Sequence, residues 1–391
     1  MKFDIWSFEK KPLPEILSFI VDNRGKTVPT TENGHILIAT NCIKNENLYP
    51  SYEKIRYLSE ETYQNWFRAH PKPGDILFVC KGTPGRVCMV PDPIDFCIAQ
   101  DMVALRANEA IVYNKYLLAV LRSARIQKQI EQTSVGDVIP HFKKSFFNQL
   151  LIPIPPMQIQ RIIGDYYFVF SEKVEINNKV NDNLEQQARA LYQQMFIDNP
   201  VSGGYMGTLS DIADITMGQS PNGSSYNEDG NGAVFFQGRA EFGFRFPSVR
   251  LYTTEPKRMA CANDTLMSVR APVGDLNVAY TDCCIGRGLA AIHSKSNQQS
   301  FVLYTMFSLH KQLDVFNGEG TVFGSINRTA LTELPIFIPS DREIVKFEAI
   351  VAPIDAAIRN NYEEICRLEK IRDALLPKLM SGELDVSAVN L

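Results

Sequence analysis

The sequence predicts two mixed α/β globular domains, each followed by a long helix, in a chain that contains an internal duplication. Short motifs recur in the same order: residues 74–79 have a counterpart at 263–269, and residues 151–155 return as 335–339. A long helical pattern follows each copy of the second motif. Repetition of an ordered set of motifs indicates a duplicated structural unit, here with pseudo-two-fold symmetry.

The spacing between the copies separates a constant part from a variable part. Ile152 and Ile336 are 184 residues apart, and the helical segments after them keep that offset. Asp75 and Asp264 are 189 residues apart, so the loops of the globular parts differ in length. We therefore divide the chain into a first globular domain (1–156), a first long helix (157–198), a second globular domain (199–340) and a second long helix with its tail (341–391).

The globular domains are predicted to be α/β because short apolar runs of strand length alternate with helical patterns. Pro153 lies inside one of these runs and predicts an edge strand, because proline cannot donate a hydrogen bond to a neighbouring strand. The predicted strands lie at residues 36–39, 76–79, 150–154, 233–236, 266–269 and 336–338.

The two long helices carry an apolar stripe with steps of three and four residues. The stripe runs from Ile344 to Leu379 and recurs 184 residues earlier, from Gln160 to Met195. A heptad-like stripe over about forty residues is typical of a coiled coil about 60 Å long. Two ordinary amphipathic helices, each buried in its own domain, are the alternative; the shared register and unusual length favour the coiled coil.

One asparagine interrupts each stripe at a matched position. Asn177 and Asn361 lie at the midpoints of their helices, so an antiparallel pairing brings them face to face. Two facing asparagines can satisfy each other's amides and fix the helix register, whereas one facing an aliphatic side chain is unsatisfied. We predict that these two residues form a register-setting pair.

Composition excludes several classes of protein. The 391 residues carry a formal net charge of −4, which argues against a uniformly basic protein but not against a local DNA-binding patch. Eight cysteines lie apart from any C-x-x-C pair, which favours a reduced compartment. There is no N-terminal apolar segment and no run of about 18 apolar residues, so we expect a cytoplasmic protein without a membrane partner.

Motifs of catalysis are missing from the sequence. It has neither a phosphate-binding P-loop nor an Asn-Pro-Pro-aromatic tetrapeptide of amino-methyltransferases. The segment Gly286-Arg287-Gly288 approaches a dinucleotide-binding loop but lacks its third glycine. The five histidines have no metal-ligand spacing. We therefore expect no catalytic residue and no metal ligand in this chain.

Polar loops between the predicted strands supply candidates for DNA contacts. Lys81 is suited to a phosphate and Arg86 to a guanine edge, while neighbouring glycines permit close approach of the backbone. The alternative for each residue is a solvated turn, and for Arg245 and Arg250 it is the flank of a strand with buried aromatics. The candidates are Arg24, Lys26, Lys81, Thr83, Arg86, Lys143 and Lys144 in the first domain, and Gln219, Asn222, Ser224, Tyr226, Arg239, Arg270 and Arg328 in the second.

With these motifs in order, the chain resembles the specificity subunit of type I restriction–modification systems. The openings at residues 13–16 and 209–212, the motif at 74–77 and the helix end at 375–384 carry the resemblance over nearly the whole chain. One departure is Asn263-Asp264-Thr265 in place of the Gly-Asp-Ile of the first copy, so we expect the turn there to differ.

The resemblance implies a function. Each globular domain would be a target recognition domain that reads one half of a bipartite double-stranded DNA site. Because the loops of the two domains differ, the site should be asymmetric. The antiparallel helices would bind two methyltransferase subunits, which carry S-adenosylmethionine and methylate adenine. Restriction subunits with ATP and Mg would join the complex. The chain itself would bind no cofactor.

Two other functions are compatible with the same residues. A coiled-coil scaffold would use the helices without reading DNA. A self-contained methyltransferase–specificity protein would need a cofactor motif and a third domain, neither of which the sequence contains. Binding to DNA that weakens steeply with salt would distinguish the reader from the scaffold.

Overall fold

The computed structural model describes residues 3–23, 25, 27–136, 139–198, 203–318 and 324–384. It divides into two compact units, Met1–Lys179 with Asn361–Leu391, and Val180–Asn360. Each unit therefore contains one globular part and a part of each long helix. The predicted domain borders at 156, 198 and 340 stay predictions, since this division cuts through the helices.

The globular part of the first unit is mixed α/β, as the sequence predicts. Its strands are β1 (Lys10–Pro12), β2 (Leu17–Val21), β3 (His35–Ile38), β4 (Arg56–Leu58), β5 (Ile76–Val79), β6 (Val87–Met89), β7 (Phe96–Ile98), β8 (Met102–Ala107) and β9 (Leu151–Pro153). Its helices are α1 (Glu60–Asn65), α2 (Asn114–Arg122), α3 (Ala124–Thr133) and the beginning of α4 (Met157–Tyr192).

Two sheets form the framework of this unit. One has the strand order β2-β8-β5-β6, and the other has the order β4-β3-β7 with β3 and β7 parallel. β5 is buried on both faces: Phe78 joins the cluster that contains Tyr116 of α2, and Leu77 joins the opposite cluster with Ile98. Successive side chains of a strand point to opposite faces, so the central strand is apolar throughout.

The second unit is also mixed α/β. Its strands are β10 (Tyr205–Thr208), β11 (Ala213–Met217), β12 (Tyr226–Asn227), β13 (Ala233–Phe236), β14 (Leu251–Thr253), β15 (Met259–Ala260), β16 (Thr265–Ser268), β17 (Leu276–Val278), β18 (Cys283–Ile285), β19 (Leu289–Ser294) and β20 (Pro335–Ile338). Its helices are α5 (Leu209–Ile212), α6 (Gln299–Ser308), α7 (His310–Asp314), α8 (Arg328–Thr332) and the beginning of α9 (Asp341–Met380).

The strand order confirms the predicted duplication. The order β11-β19-β16-β17 repeats β2-β8-β5-β6, and the parallel pair β13-β18 repeats β3-β7. The short sheets β1-β9 and β10-β20 also correspond, and Pro153 lies in such a two-stranded sheet, as its edge position predicts. The second unit adds β12 and β15 at the edges of its second sheet, which explains part of the difference in loop length.

The long helices run antiparallel in each unit. In the first unit, Lys173 of α4 lies 3.7 Å from Glu364 of α9, whereas the Tyr167 ring lies 5.7 Å below the guanidinium of Arg372. In the second unit, the rings of Tyr192 and Phe347 are 5.6 Å apart. As the residue number increases along α4, the residues of α9 that it contacts have decreasing numbers. The helices extend over 36 and 40 residues, which confirms the predicted pair of long helices.

Asn177 is buried within this pairing, with only 4% of its surface exposed. Its Nδ2 donates to Oε2 of Glu364 at 2.9 Å, three residues beyond Asn361 on α9. The carboxylate of Glu364 thus accepts the hydrogen bond from Asn177 that was expected to go to Asn361. The direct pairing of Asn177 with Asn361 stays a prediction.

The turn that precedes the central strand has the same conformation in both units, contrary to the expectation from the sequence. Gly74 has φ of +83° and Asn263 has φ of +73°. Asparagine is one of the few side chains that tolerate this left-handed region, so replacing glycine by asparagine leaves the turn intact. The following carboxylate accepts a backbone hydrogen bond across the turn, from Lys72 to Asp75 and from Cys261 to Asp264, each at 2.8 Å.

The partner of this carboxylate on the neighbouring strand differs between the units. Arg106 makes a bidentate pair with Asp75 at 2.8 and 2.9 Å, whereas Nδ1 of His293 lies 2.5 Å from Asp264. Arg106 and His293 occupy equivalent positions of β8 and β19, because Leu105 and Ile292 face the first residues of β5 and β16. The duplicated framework has thus kept the interaction while exchanging the side chain.

A buried arginine links the globular part of the second unit to both long helices. Arg245 is 4% exposed and pairs with Glu185 of α4 at 2.9 Å and with Asp355 of α9 at 3.1 Å. It also donates to the hydroxyl of Tyr304 on α6. Burial alone would lower the pKa of the Arg245 guanidinium, but Tyr304, Asp355 and Glu185 raise it, so the group stays charged.

Replacing this arginine should destabilise the second unit strongly. We expect Arg245→Ala to lower the free energy of unfolding by about 3–5 kcal/mol, because two carboxylates lose their buried counter-ion. Urea denaturation would measure the change. Lys295→Ala is the control, since Lys295 and Asp214 are both exposed and their pair is worth about 0–1 kcal/mol. Equal effects of the two substitutions would contradict a structural role for Arg245.

Candidate DNA interface

The loop between β5 and β6 (residues 80–86, the first hairpin loop) is held against the segment that leads to β9. Gly82 N–H donates to Pro140 O at 2.9 Å, and Phe142 N–H donates to Cys80 O at 2.7 Å. These bonds align Lys81 with His141 as a β-bridge. Two sequence-distant groups of candidates, Lys81 and Thr83 on one side and Lys143 and Lys144 on the other, are therefore carried by adjoining segments.

The exposure of these candidates fits a surface for a polyanion. Lys81, Thr83, Lys143 and Lys144 are exposed, and Arg86 is half-buried. Nζ of Lys144 lies 3.2 Å from Asp22, at the end of β2, so the loop after β2 joins the same region. Arg24 and Lys26, which follow in that loop, lie outside the described residues. Arg86 is at the base of the hairpin, where its carbonyl accepts from Val79 at 2.9 Å.

The second unit repeats this arrangement. The loop between β16 and β17 (residues 269–275, the second hairpin loop) pairs with the segment before α8, because Ala271 N–H donates to Gly324 O at 3.0 Å. Arg270 and Ser325 form the bridge that corresponds to Lys81 and His141. Arg328 begins α8 a few residues later and is exposed.

The loop after β11 carries the amide and hydroxyl candidates. Gln219, Asn222 and Ser224 are exposed, and Gln219 N–H donates to Ile285 O at 2.9 Å. Asn222 also caps a short 3-10 helix, where its side chain accepts from Ser224 N–H. Tyr226 has a structural part, because its hydroxyl donates to Pro221 O and its ring lies 4.8 Å from that of Phe235.

Two arginines after β13 differ in their contacts: Arg239 contacts the second hairpin loop and Arg245 does not. Arg239 forms an ion pair with Asp275 at the end of that loop. Arg245 is buried in the helix-linking network described above, so it is part of the core and unavailable to DNA. Arg245 is thus a packing residue, but its burial comes from ion pairs with the two long helices and not from a position beside a strand.

The structure adds two turns that the sequence reasoning left out of the interface. The turn between β7 and β8 contains Gln100, and the turn between β18 and β19 contains Arg287. Both adjoin the hairpin loops through backbone hydrogen bonds, from Cys80 to Asp101 and from Val269 to Gly288. A single polar residue in a short turn gives no sequence signal; only comparison of the two folded units identifies the equivalence.

Other kinds of site were sought within the same described ranges. They hold no group of three or more His, Cys, Asp or Glu side chains that could bind a metal ion. No helix in them is long and apolar enough to cross a membrane.

Comparison with known proteins finds relatives of one kind. Residues 7–186 match the family described as "Type I restriction modification DNA specificity domain". The chain is 29% identical over 337 residues to the putative type I restriction enzyme MjaX specificity subunit of Methanocaldococcus jannaschii, covering 80% of this chain and 79% of the relative. It is 22% identical to the HindI specificity subunit of Haemophilus influenzae, covering 80% and 87% of the two chains.

The fold agrees with these relatives. A crystal structure of a type I restriction-modification system S subunit from M. genitalium covers 95% of this chain and 96% of its own, with a TM-score of 0.58 at 17% identity. The duplicated domains and the long helix pair agree with this fold. In sequence the chain is similar to specificity subunits of type I restriction enzymes.

Two residues of the first hairpin loop should respond differently to substitution. Lys81→Ala should weaken binding to all DNA sequences and make the dependence of log K on log[salt] shallower by about one unit, as for a phosphate contact. Arg86→Ala should cost about 1–3 kcal/mol on the cognate sequence alone, as for a base contact.

Titration of labelled duplexes over a salt series measures both effects. Lys72→Ala is the control, because Lys72 is exposed at the opposite end of β5 from the loop. Negligible effects from both Lys81→Ala and Arg86→Ala would indicate that this loop is a solvated turn that does not contact DNA.

Proposed function

We propose that the chain is the specificity subunit of a type I restriction–modification system, and that its two globular domains each read one half of a bipartite, asymmetric double-stranded DNA site. The observation that carries this proposal is the repeated interface. In both domains a hairpin loop after the central strand is bonded to the segment before the last strand, and basic or amide side chains cluster around it. The residues at equivalent places differ, as Lys81 and Arg270 do, so the two half-sites should differ in sequence.

The long helices would serve assembly in this proposal. Antiparallel α4 and α9 present similar lengths of helix from each copy, and each copy would dock one methyltransferase subunit, two in all. The relatives named above are subunits of type I restriction enzymes. Restriction subunits would join through that complex, and the protein would act in the cytoplasm.

The chemistry would belong to the partner subunits. S-adenosylmethionine, ATP and Mg are expected there, and this chain would bind none of them. The sequence lacks the phosphate loop and the methyltransferase tetrapeptide. The subunit would contribute positioning, because it holds the modification subunits over a chosen sequence.

Exchange of one domain should change one half-site. Replacing residues 208–339 by the corresponding segment of a relative should alter one half of the methylated sequence, because that segment carries the whole second interface and lies outside both long helices. The reconstituted complex would methylate genomic DNA, and sequencing would map the modified adenines. The unchanged half-site is the internal control; a change in both halves would contradict modular reading.

The isolated chain should transfer no methyl group. Purified protein with labelled S-adenosylmethionine and unmodified genomic DNA should leave the DNA unlabelled, whereas addition of modification subunits should produce labelling. Incorporation by the chain alone would instead support a self-contained methyltransferase.

A further inference from the structure

Two side chains that the sequence reasoning left aside occupy the same position in the two domains. In the first unit Ile38 pairs with Ile98 across the parallel strands β3 and β7; in the second, Phe236 pairs with Ile285 across β13 and β18. Two residues beyond the paired isoleucine comes Gln100 in one unit and Arg287 in the other. The turns that contain them connect equivalent strands, β7 to β8 and β18 to β19.

Backbone hydrogen bonds fix both turns against the hairpin loops. Cys80 N–H donates to Asp101 O at 2.7 Å, and Val269 N–H donates to Gly288 O at 2.9 Å. The residue directly after Gln100 or Arg287 is therefore bonded to the residue directly before Lys81 or Arg270. This places each residue directly beside the hairpin loop of its candidate interface.

Three segments with DNA-binding candidates surround Arg287. Its own N–H donates to Oγ of Ser220, beside Gln219. Gly288 N–H donates to Gln237 O at 3.2 Å, two residues before Arg239, and the bond from Val269 brings in Arg270. The Arg287 side chain is exposed.

The glycines on either side of Arg287 allow this close packing. A Cβ at Gly286 would lie 2.9 Å from the Gln237 Cα, and one at Gly288 would lie 2.8 Å from the Gln237 carbonyl. Larger residues would push the turn away from the loop after β13. The turn thus has one long side chain, and that side chain is a guanidinium.

Gln100 has an unsatisfied amide in the first unit. Its Oε1 is buried, and it accepts no hydrogen bond within the described residues. An acceptor kept from water without a donor is unfavourable. Rotation of the half-buried side chain toward a bound base would provide the missing donor.

We propose that Arg287 and Gln100 are specificity-determining residues that each read one base pair at corresponding positions of the two half-sites. This inference rests on the proposed function. Arginine donates two hydrogen bonds to O6 and N7 of guanine, and glutamine pairs with N6 and N7 of adenine in the major groove. The half-site of the second domain therefore has G·C where that of the first has A·T.

Selection of bound duplexes from a randomised pool tests this inference. The full-length chain would be used alone and with its modification subunits, as wild type and as Arg287→Gln, Arg287→Lys and Gln100→Arg. Arg287→Gln should reduce the preference at one base pair of one half-site by about 5- to 150-fold and leave the other half-site unchanged. Gln100→Arg should change the corresponding base pair of the other half-site.

Two further variants test the role of the guanidinium and provide a control. Arg287→Lys retains the charge but loses the fork of the guanidinium, so it should weaken the same preference while keeping its affinity for random DNA. It also decides the matter if Arg287→Gln does not fold. Lys295→Gln removes an exposed cation at the opposite end of β19 and should change no base preference.

The results separate the two levels of the proposal. Failure of the wild type to select any bipartite sequence would overturn the proposed function itself. A wild type that selects such a site, with Arg287 variants that keep every preference or weaken all sequences equally, would overturn the assignment of Arg287 alone. Unchanged selection by Gln100→Arg would overturn the corresponding assignment of Gln100.

Discussion

Burial of the apolar stripe of α4 against that of α9 is the constraint on which the rest of the structure depends. Each globular part completes its core with the end of the helix that belongs to the other copy. In the first unit Leu376 and Leu379 of α9 join the cluster around Tyr116; in the second, the ring of Tyr192 at the end of α4 lies 6.0 Å from that of Phe301. A single repeat with its own helix would therefore lack part of its core.

This construction allows the loops to diverge without cost to the framework. The carboxylate before the central strand is kept in both units, although Arg106 satisfies it in one and His293 in the other. The hydrogen bonds that hold the hairpin loops are made by backbone atoms, so they impose little on the side chains. Side chains that face outward, such as Lys81 and Arg270, are then free to differ.

Much of this architecture can be predicted from local sequence, because the periodic spacing of apolar residues indicates strands and long helices. The predicted runs at 76–79 and 233–236 are strands, and α9 begins directly after Ser340. The turn at Asn263 was expected to differ and does not, since the tolerance of asparagine for a left-handed backbone outweighs the change of residue. Side-chain positions that depend on contacts between residues far apart in the sequence could not be predicted from local patterns. The burial of Arg245 depends on carboxylates from two helices, and the place of Arg287 depends on three separate loops.

The return of α9 to the first unit also governs the order in which the protein can fold during synthesis. Ile5 and Met380 belong to one buried cluster, and a Cβ at Gly382 would lie 1.8 Å from the Phe3 carbonyl. The ribosome makes the first domain early, but Leu376, Leu379 and Met380, which cover part of its apolar surface, emerge only after the second unit. The first domain must therefore stay partly uncovered until the second unit has been made. Contacts across so long a separation in sequence slow folding and lengthen the exposure of that surface to aggregation. In this protein the first domain is completed only after the second has been made.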